Sequence, residues 1–292
     1  MENIMIKIAF IGCDSTHTEA YAKLFNFESS PLFGKGIVKS IYGESLKQAK
    51  EKAKILNIEK VSDSLESAIE DVDLVMVIGR FGESHYKPTV EIIKKGIPVF
   101  VDKPFTVDIN EANKLSDLSK RFNTKLCSSS PLRFSREVLD SKEKLKKINS
   151  ELLSINVTVP ANCTDLGPDL RLNNSFFYGI HGIEILLELT GHDILNIDYQ
   201  YHKSKISVIL TTSDKKNHIL NLLTDVSEFY WLDIHSKKKS THLNIKLDES
   251  YYLNVAKFLI SDFINGKKTI NIESTLLAVS ILDHIEKNNP YK

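Results

Sequence analysis

Residues 97–104 read Ile-Pro-Val-Phe-Val-Asp-Lys-Pro, and this stretch decides the fold of the first part of the chain. The apolar run is typical of a buried strand in a parallel sheet, and Lys103 follows its carboxyl end. Open α/β sheets bind their ligands in the crevice at these ends. Desolvation disfavours the charged form of a lysine, so placing one in this crevice is energetically costly. Its presence there therefore predicts contact with a ligand. A solvated loop lysine is the alternative.

Around this stretch, the first 126 residues alternate apolar strands with amphipathic helices, which indicates βαβ units and a parallel sheet. The remainder changes character. Five segments alternate apolar and polar residues, as half-buried strands of an antiparallel sheet do; they span residues 151–159, 194–201, 205–212, 217–224 and 228–235. We therefore predict an α/β chain with a Rossmann-like dinucleotide-binding domain at 1–126. A substrate and oligomerisation α+β domain with a largely antiparallel open sheet is predicted at 127–292.

Composition excludes several classes of protein. Lys and Arg number 38, as do Asp and Glu, so the formal net charge is zero. Nucleic-acid and acidic-membrane surfaces need a basic excess, so neither is expected as a partner. The sequence contains no apolar run of transmembrane length and no signal-peptide pattern. Cys13, Cys127 and Cys163 form neither a disulfide framework nor a metal pattern, which predicts a cytoplasmic protein with reduced thiols.

The turn after the first strand departs from the Gly-x-Gly-x-x-Gly pattern of dinucleotide sites. It reads Gly-Cys-Asp-Ser-Thr-His at residues 12–17, so Asp14 and His17 replace the second and third glycines. The Asp14 carboxylate would narrow the space for a pyrophosphate and repel it. Thr16 and Glu19 have the spacing of a capping box, which would use the helix N-terminal donors. The turn is therefore either a capped helix start or a cofactor site in which His17 donates to phosphate or substrate.

The second strand is followed by Gly43 and Glu44. An acidic residue in this region accepts the ribose hydroxyls of NAD, although Glu44 lies one position beyond the usual place. No arginine stands beside it to bind a 2′-phosphate, so NAD is favoured over NADP.

Four motifs occur in order along the chain: Asp-Lys-Pro at 102–104, a strand end followed by His85, Arg133-Phe134, and Gly179-Ile180-His181 with Thr190-Gly191 after it. Together they resemble the glucose-fructose oxidoreductase / inositol dehydrogenase / rhizopine catabolism protein family of NAD(P)-dependent oxidoreductases. The resemblance is strongest over residues 6–136 and 176–191. It implies hydride transfer between a nicotinamide and a hydroxyl-bearing carbon of a sugar, cyclitol or related small molecule.

The resemblance also implies roles for residues. Lys103 would contact the nicotinamide ribose and the substrate, and His181 would be the general acid/base, with a side chain suited to proton transfer near neutral pH. The family has an aspartate four residues before this histidine, where the chain has Phe177, so Tyr178 and Glu184 are the local replacements and complete the predicted catalytic set. The predicted cofactor-binding residues are Gly12, Cys13, Asp14, Ser15, Thr16, His17, Glu44, Gly79, Arg80, His85, Asp102 and Lys103; the substrate-binding ones are Lys103, Arg133 and His181.

Several alternatives stay open at this stage. His181 could be an ordinary hydrogen-bonded core residue, and Arg133 could form a structural ion pair instead of binding a substrate anion. His181 and Glu184 supply two metal ligands where a catalytic zinc site needs three, so no metal is expected. The whole protein could be a non-redox relative that lost the cofactor and binds a sugar-like ligand, or a lyase or hydrolase that uses NAD transiently. The resemblance implies a homo-oligomer, dimer or tetramer, formed through an apolar face of the C-terminal sheet. Residues 163–174 are predicted to be a loop that selects the substrate.

Overall fold

A computed structural model describes residues 5–148, 151–163, 174–267 and 270–291. The chain forms two compact units. The first comprises Met1–Ser129 and Tyr252–Ile272, and the second comprises Ser130–Tyr251 and Glu273–Lys292. The division predicted after residue 126 lies close to the first crossing, but it did not foresee that a later segment returns to the first unit. Most of the segment predicted as a substrate-selecting loop, residues 164–173, lies outside the described residues.

The first unit is built around a parallel sheet of six strands in the order β3-β2-β1-β4-β5-β6. Its elements are β1 (Ile6–Ile11), α1 (Thr16–Asn26), β2 (Gly36–Tyr42), α2 (Leu46–Ile55), β3 (Lys60–Val61), α3 (Leu65–Ala68), β4 (Leu74–Val77), α4 (Tyr86–Lys94), β5 (Val99–Asp102), α5 (Ile109–Arg121) and β6 (Leu126–Ser129). The predicted Rossmann-like class is confirmed. The sequence did not predict β6, which begins where the first domain was expected to end.

Because all six strands run parallel, the turns after β1, β4 and β5 lie at the same edge of the sheet, where the carboxyl ends of the strands meet. The strand order reverses between β1 and β4. At this edge the turn after β1 lies against the turn after β4. Gly12 has a positive φ of 105°, and a Cβ atom there would lie 2.4 Å from the backbone nitrogen of Gly79. The first glycine of the turn is therefore required by the packing of two strand ends, whether or not a phosphate binds there.

The second unit carries a mixed sheet in the order β12-β11-β7-β10-β9-β8, in which only β7 and β10 run parallel. Its elements are α6 (Arg136–Ile148), β7 (Leu152–Pro160), α7 (Ser175–Thr190), β8 (Ile194–His202), β9 (Lys205–Thr212), β10 (Asn217–Leu223), β11 (Trp231–Ser236) and β12 (Ser240–Asn244). Most of α8 (Ser250–Phe258) and a π-helical turn at Leu259–Phe263 belong to the first unit. The chain then returns to the second unit with α9 (Ile272–Asn288). The predicted largely antiparallel sheet is confirmed, with β12 added.

The two faces of this second sheet differ in chemistry. One face packs against α7, where a Cβ on Gly182 would lie 2.6 Å from Val159 Cγ2 and 2.7 Å from Leu220 Cδ1. The opposite face is polar: the Ser207 hydroxyl donates to Asn221, whose amide donates to Thr158 across neighbouring strands. The expectation of an apolar open face is therefore wrong, because the outward positions of the alternating strands carry mainly hydrogen-bonding side chains.

Candidate functional site

Lys103 follows the last residue of β5, at the edge of the first sheet where the strand order reverses. Its exposed fraction is 7%, and that of Asp102 is 1%. Such burial is unusual for a lysine and disagrees with a solvated loop position. The structure therefore places this amine where the sequence predicted it, at the carboxyl end of a buried parallel strand.

A buried histidine–aspartate pair connects the first turn to the lysine turn. His17 Nδ1 donates to Asp102 Oδ2 at 2.5 Å, and the backbone N–H of Lys103 donates to Asp102 Oδ1 at 2.9 Å. Burial acts to raise the pKa of the Asp102 carboxyl, but the neighbouring His17 and Lys103 outweigh it and hold that pKa below its ordinary value. The ring of His17 also packs edge-on against Tyr252 at 5.0 Å between centroids. His17 is thus an internal anchor, a role that the sequence did not reveal.

The start of α1 differs from the prediction. Ser15 is the N-cap, and its hydroxyl accepts the backbone N–H of His17 at 3.1 Å. Glu19 instead forms an ion pair with Lys52 of α2. The predicted capping box of Thr16 and Glu19 is therefore wrong, because the helix begins one residue earlier than the box requires and a nearby cation attracts the glutamate.

Asp14 is exposed and spans the gap between the turns after β1 and β4. Its Oδ1 accepts the backbone N–H of Arg80 at 3.0 Å, so the two predicted cofactor-binding residues meet through this backbone donor. The Arg80 guanidinium lies 5.9 Å from the centre of the Phe81 ring. The Asp14 carboxylate consequently occupies part of the edge where the glycine pattern would leave open space.

The residues after β2 lie against the turn after β1, where the buried thiol of Cys13 contacts Gly43. Cys13 is 2% exposed, and a Cβ on Gly43 would lie 2.3 Å from its Sγ. Burial, and then the negative charge of Asp14, raise the pKa of the Cys13 thiol, and Glu44 adds in the same direction. Glu44 itself is exposed, so its carboxylate can reach a ligand. The local charge at this strand end is acidic, apart from Lys52.

His85 is fully buried, and both of its ring nitrogens face backbone carbonyls. Nδ1 lies 2.7 Å from the carbonyl oxygen of Pro104, and Nε2 lies 2.9 Å from that of Gly79. The ring therefore ties the turn after β4 to the turn after β5. Both nitrogens are used internally, which assigns His85 to positioning the edge and not to direct contact with a cofactor.

In the second unit, a serine fixes the predicted acid/base histidine. His181 lies on α7 with an exposed fraction of 7%, and its Nδ1 is hydrogen-bonded to Ser130 Oγ at 2.5 Å. The Ser130 hydroxyl also accepts the backbone N–H of Leu132 at 3.1 Å. Sequence reasoning missed Ser130, because it is separated from His181 by 51 positions. No local signal pointed to it, because β6, the strand that it directly follows, was itself not predicted.

Glu184 and Arg133 form a buried ion-pair network below this histidine. Glu184 Oε2 accepts the backbone N–H of Ser130 at 2.7 Å and lies 3.3 Å from Arg133 Nε. Arg133 Nη1 lies 3.4 Å from Glu188 Oε2, and Arg133 is 4% exposed. This geometry matches the structural ion-pair alternative for Arg133. It also shows that the fully buried Glu184 contacts both Ser130 and Arg133.

Buried aromatic side chains lie near His181 in the second unit. Tyr230, which sequence reasoning missed, is 1% exposed and packs edge-on to His181 at 5.4 Å between ring centres. Burial, followed by the charge of Glu228, raises the pKa of the Tyr230 phenol well above its ordinary value, and this phenol donates to Glu228 at 2.9 Å. Tyr178 is 5% exposed and packs edge-on against Phe177. The Tyr230 ring thus covers one side of the imidazole with low-polarity surface.

Among the described residues, no cluster of three or more His, Cys, Asp or Glu side chains is arranged to hold a metal ion. None of the helices in the same part of the chain has the length and apolar character needed to cross a bilayer.

The sheet with its reversed strand order, the buried lysine after β5 and the glycine-dependent first turn are features of a Rossmann-like dinucleotide-binding fold. Residues 6–129 match the model of a family described as an oxidoreductase family with an NAD-binding Rossmann fold. This first part of the chain is similar to that family, and the predicted resemblance is confirmed. The family's cofactor is a nicotinamide dinucleotide, as the resemblance implied. No curated protein is similar enough in sequence to match the chain.

Solved structures resemble the chain over nearly its whole length. The apo scyllo-inositol dehydrogenase of Lactobacillus casei is 15% identical, with a TM-score of 0.81 over 99% of this chain and 98% of that chain. The same enzyme with bound NAD(H) and scyllo-inositol is 15% identical, with a TM-score of 0.77 over 98% of each chain. A Synechocystis biliverdin reductase in complex with biliverdin and NADP+ is 12% identical, with a TM-score of 0.75 over 98% of this chain and 99% of that chain. At these identities, the likeness establishes a shared fold.

Proposed function

We propose that the chain is an NAD(P)-dependent oxidoreductase that moves a hydride to or from a hydroxyl-bearing carbon of a sugar, cyclitol or related small molecule. The observation that carries this proposal is the burial of Lys103 at the end of β5, beside an ionised Asp102. A lysine buried at the carboxyl end of a parallel strand lies where open α/β sheets bind their ligands, although burial disfavours its charge. The inositol dehydrogenase among the structural neighbours supports a polyhydroxylated substrate.

The residues at the first sheet edge fit a nicotinamide dinucleotide. Exposed Glu44 at the end of β2 is available to accept ribose hydroxyls, and the acidic surroundings of Cys13 would repel a 2′-phosphate. We therefore propose NAD over NADP. The cofactor supplies or accepts the hydride when it is bound.

The chain's own residues would handle the proton and the alignment. Lys103 would hold the reacting hydroxyl and the nicotinamide ribose through its ammonium hydrogens. His181 would take the hydroxyl proton at Nε2 during oxidation and return it during reduction, because its Nδ1 is already engaged. Glu184 and Arg133 would keep the serine–histidine pair in place, and Tyr178 and Tyr230 would limit the access of water to the imidazole.

One observation favours the non-redox alternative. Asp14 already accepts the Arg80 N–H, so a protein carboxylate stands at the edge where a pyrophosphate would bind. A thermal-shift titration of the purified chain with NAD, NADH, NADP and NADPH separates the two functions. A ligand at 100 times its Kd raises the free energy of unfolding by about 2.7 kcal/mol. Stabilisation by NADH supports the oxidoreductase; a flat response to all four nucleotides at millimolar concentration supports the sugar-binding relative.

Turnover tests the role of the lysine. Lys103→Ala is expected to abolish oxidation of a polyol panel, measured as NADH formation, while leaving the fold intact by circular dichroism. Lys94→Ala is the matched control, because Lys94 is an exposed lysine of the same unit that pairs only with its helix neighbour Glu91 among the contacts described. Equal activity of the two variants would contradict the proposal.

We also propose that the chain forms a homo-oligomer, dimer or tetramer, through the open face of the second sheet. Because this face is polar, hydrogen bonds between outward side chains such as Ser207 and Asn221 would have to be matched across the interface. Light scattering should give a mass above that of one chain, and Asn221→Lys should lower it. A monomeric mass of the unmodified protein would refute the assembly.

A further inference from the structure

Ser130 is held in place by one hydrogen bond at its hydroxyl oxygen and another at its backbone N–H. Its oxygen accepts the backbone N–H of Leu132, and the backbone N–H of the same residue donates to the fully buried Glu184 carboxylate. The serine itself is fully buried. A hydroxyl oxygen can accept two hydrogen bonds, so it can accept one from His181 in addition to the one from Leu132. The side chain is thus held in place before the imidazole meets it.

The protonation pattern of the imidazole follows from its expected chemistry. For Nε2 to accept a proton from a substrate hydroxyl, the neutral ring must carry its hydrogen on Nδ1. In that tautomer Nδ1–H donates to Ser130 Oγ, at the observed 2.5 Å. After Nε2 gains a proton, Nδ1–H still donates to the same oxygen. Proton exchange is then confined to one nitrogen, and the ring does not need to reorient between the two states.

We propose that Ser130 is the positioning residue of His181, accepting a hydrogen bond from its Nδ1–H and holding the tautomer in which Nε2 exchanges the proton. This inference rests on the proposed function. In the family, an aspartate four residues before the histidine would orient it, and this chain has Phe177 at that position. Here the orienting residue is Ser130, which lies 51 positions earlier in the chain than His181. The partner is a neutral hydroxyl in place of a carboxylate.

The tautomer can be measured on the protein without cofactor. In a nitrogen-15 histidine-labelled sample, two-bond correlation spectra distinguish Nδ1–H from Nε2–H for each ring, and His181→Gln identifies the signals. We expect His181 to show the Nδ1–H form alone, and Ser130→Ala to show a mixture of both forms. An Nε2–H form in the unmodified protein, with the serine donating, would overturn the inference, as would a tautomer unchanged by Ser130→Ala.

Kinetics then test whether positioning matters for the reaction. Ser130→Ala is expected to lower kcat about 10- to 100-fold, the range for a hydrogen bond to a charged partner, with little change in KM. The pH at which oxidation reaches half its maximal rate should move downward, because the protonated ring loses an acceptor. Ser130→Thr keeps the hydroxyl and should recover most of the rate.

Ser128→Ala is the matched control, since Ser128 is fully buried and its hydroxyl has no hydrogen-bond partner within the described residues. It should keep both rate and pH profile. A change in tautomer without loss of rate in Ser130→Ala would refute the positioning role. If the unmodified protein oxidises no hydroxyl-bearing compound with NAD or NADP, the proposed function fails instead, and the tautomer measurement still reports on the serine–histidine bond.

Discussion

Two histidine–aspartate pairs of nearly equal geometry let burial be tested within one chain. His17 Nδ1 lies 2.5 Å from Asp102 Oδ2, with side-chain exposures of 11% and 2%. His242 Nδ1 lies 2.7 Å from Asp233 Oδ1, with exposures of 60% and 30%. Removing one partner of a buried pair leaves an uncompensated charge, which costs about 3–5 kcal/mol, whereas exposed pairs contribute about 0–1 kcal/mol.

We therefore expect His17→Ala to lower the melting temperature of the first unit by about 6–20 °C, taking about 2–4 °C per kcal/mol for a domain of this size. His242→Ala should change the melting temperature of the second unit by no more than about 4 °C. Circular dichroism follows the whole chain. Fluorescence of Trp231, the single tryptophan, follows the second unit, whose sheet contains it. Similar losses in the two variants would refute the argument that burial sets the strength of the pair.

The pH dependence of the same variants gives a second check. The pKa of Asp102 is lowered in the folded protein, so its contribution to stability is complete above its ordinary pKa of 3.8 and is lost as the pH falls through the lower folded value. The difference in unfolding free energy between the unmodified chain and His17→Ala should therefore be largest near neutral pH and shrink below about pH 4. A difference that stays constant down to pH 3 would mean that the carboxylate is not its source.

Two further predictions concern the packing of the second unit. Gly182→Ala should lower the free energy of unfolding by about 1–3 kcal/mol in urea, because its Cβ would lie 2.6 Å from Val159 Cγ2, while Gly179→Ala on the same helix, with its nearest contact at 3.3 Å, should lose less. Burial lowers the pKa of His218 to about 4, and its Nδ1 accepts the backbone N–H of Ile155, so stability that is complete above about pH 6.5 should be lost progressively toward pH 4. His218→Gln should flatten urea midpoints measured between pH 7 and pH 5; an unchanged pH dependence would assign the effect to other groups.

The fold was largely predictable because burial leaves a local mark on the sequence. A continuous apolar run identified β5, and alternation of apolar and polar residues identified β7, β8, β9, β10 and β11. The two strands that were not predicted have a weak apolar pattern. β6 is short and ends in two serines, and β12 is a polar edge strand. The return of residues 252–272 to the first unit left no local signal at all, since it depends on contacts far apart in the chain.

The site was predictable in residue type and poorly predictable in pairing. The position of Lys103 followed from strand context, but the contact of His17 with Asp102 spans 85 positions and that of His181 with Ser130 spans 51. A single sequence carries no information about which side chains meet over such separations. For this reason the sequence points to Tyr178 and Glu184, the polar neighbours of His181 in sequence, and gives no indication of Ser130, which directly follows β6.

The two histidines differ in the partner that binds their Nδ1, and this difference accounts for their different roles. Asp102 ends β5 and Ser130 directly follows β6, so both partners come from the carboxyl ends of parallel strands. An ionised carboxylate forms a strong charge-assisted bond with His17, which suits a permanent link between the first turn and the lysine turn. A neutral hydroxyl accepts the Nδ1–H of His181 without adding a charge, so the other nitrogen of that ring is left to gain and lose a proton. In the proposed function, the chain thus uses His17 as an anchor and His181 for proton transfer, and exchanging the two partner types should exchange these properties.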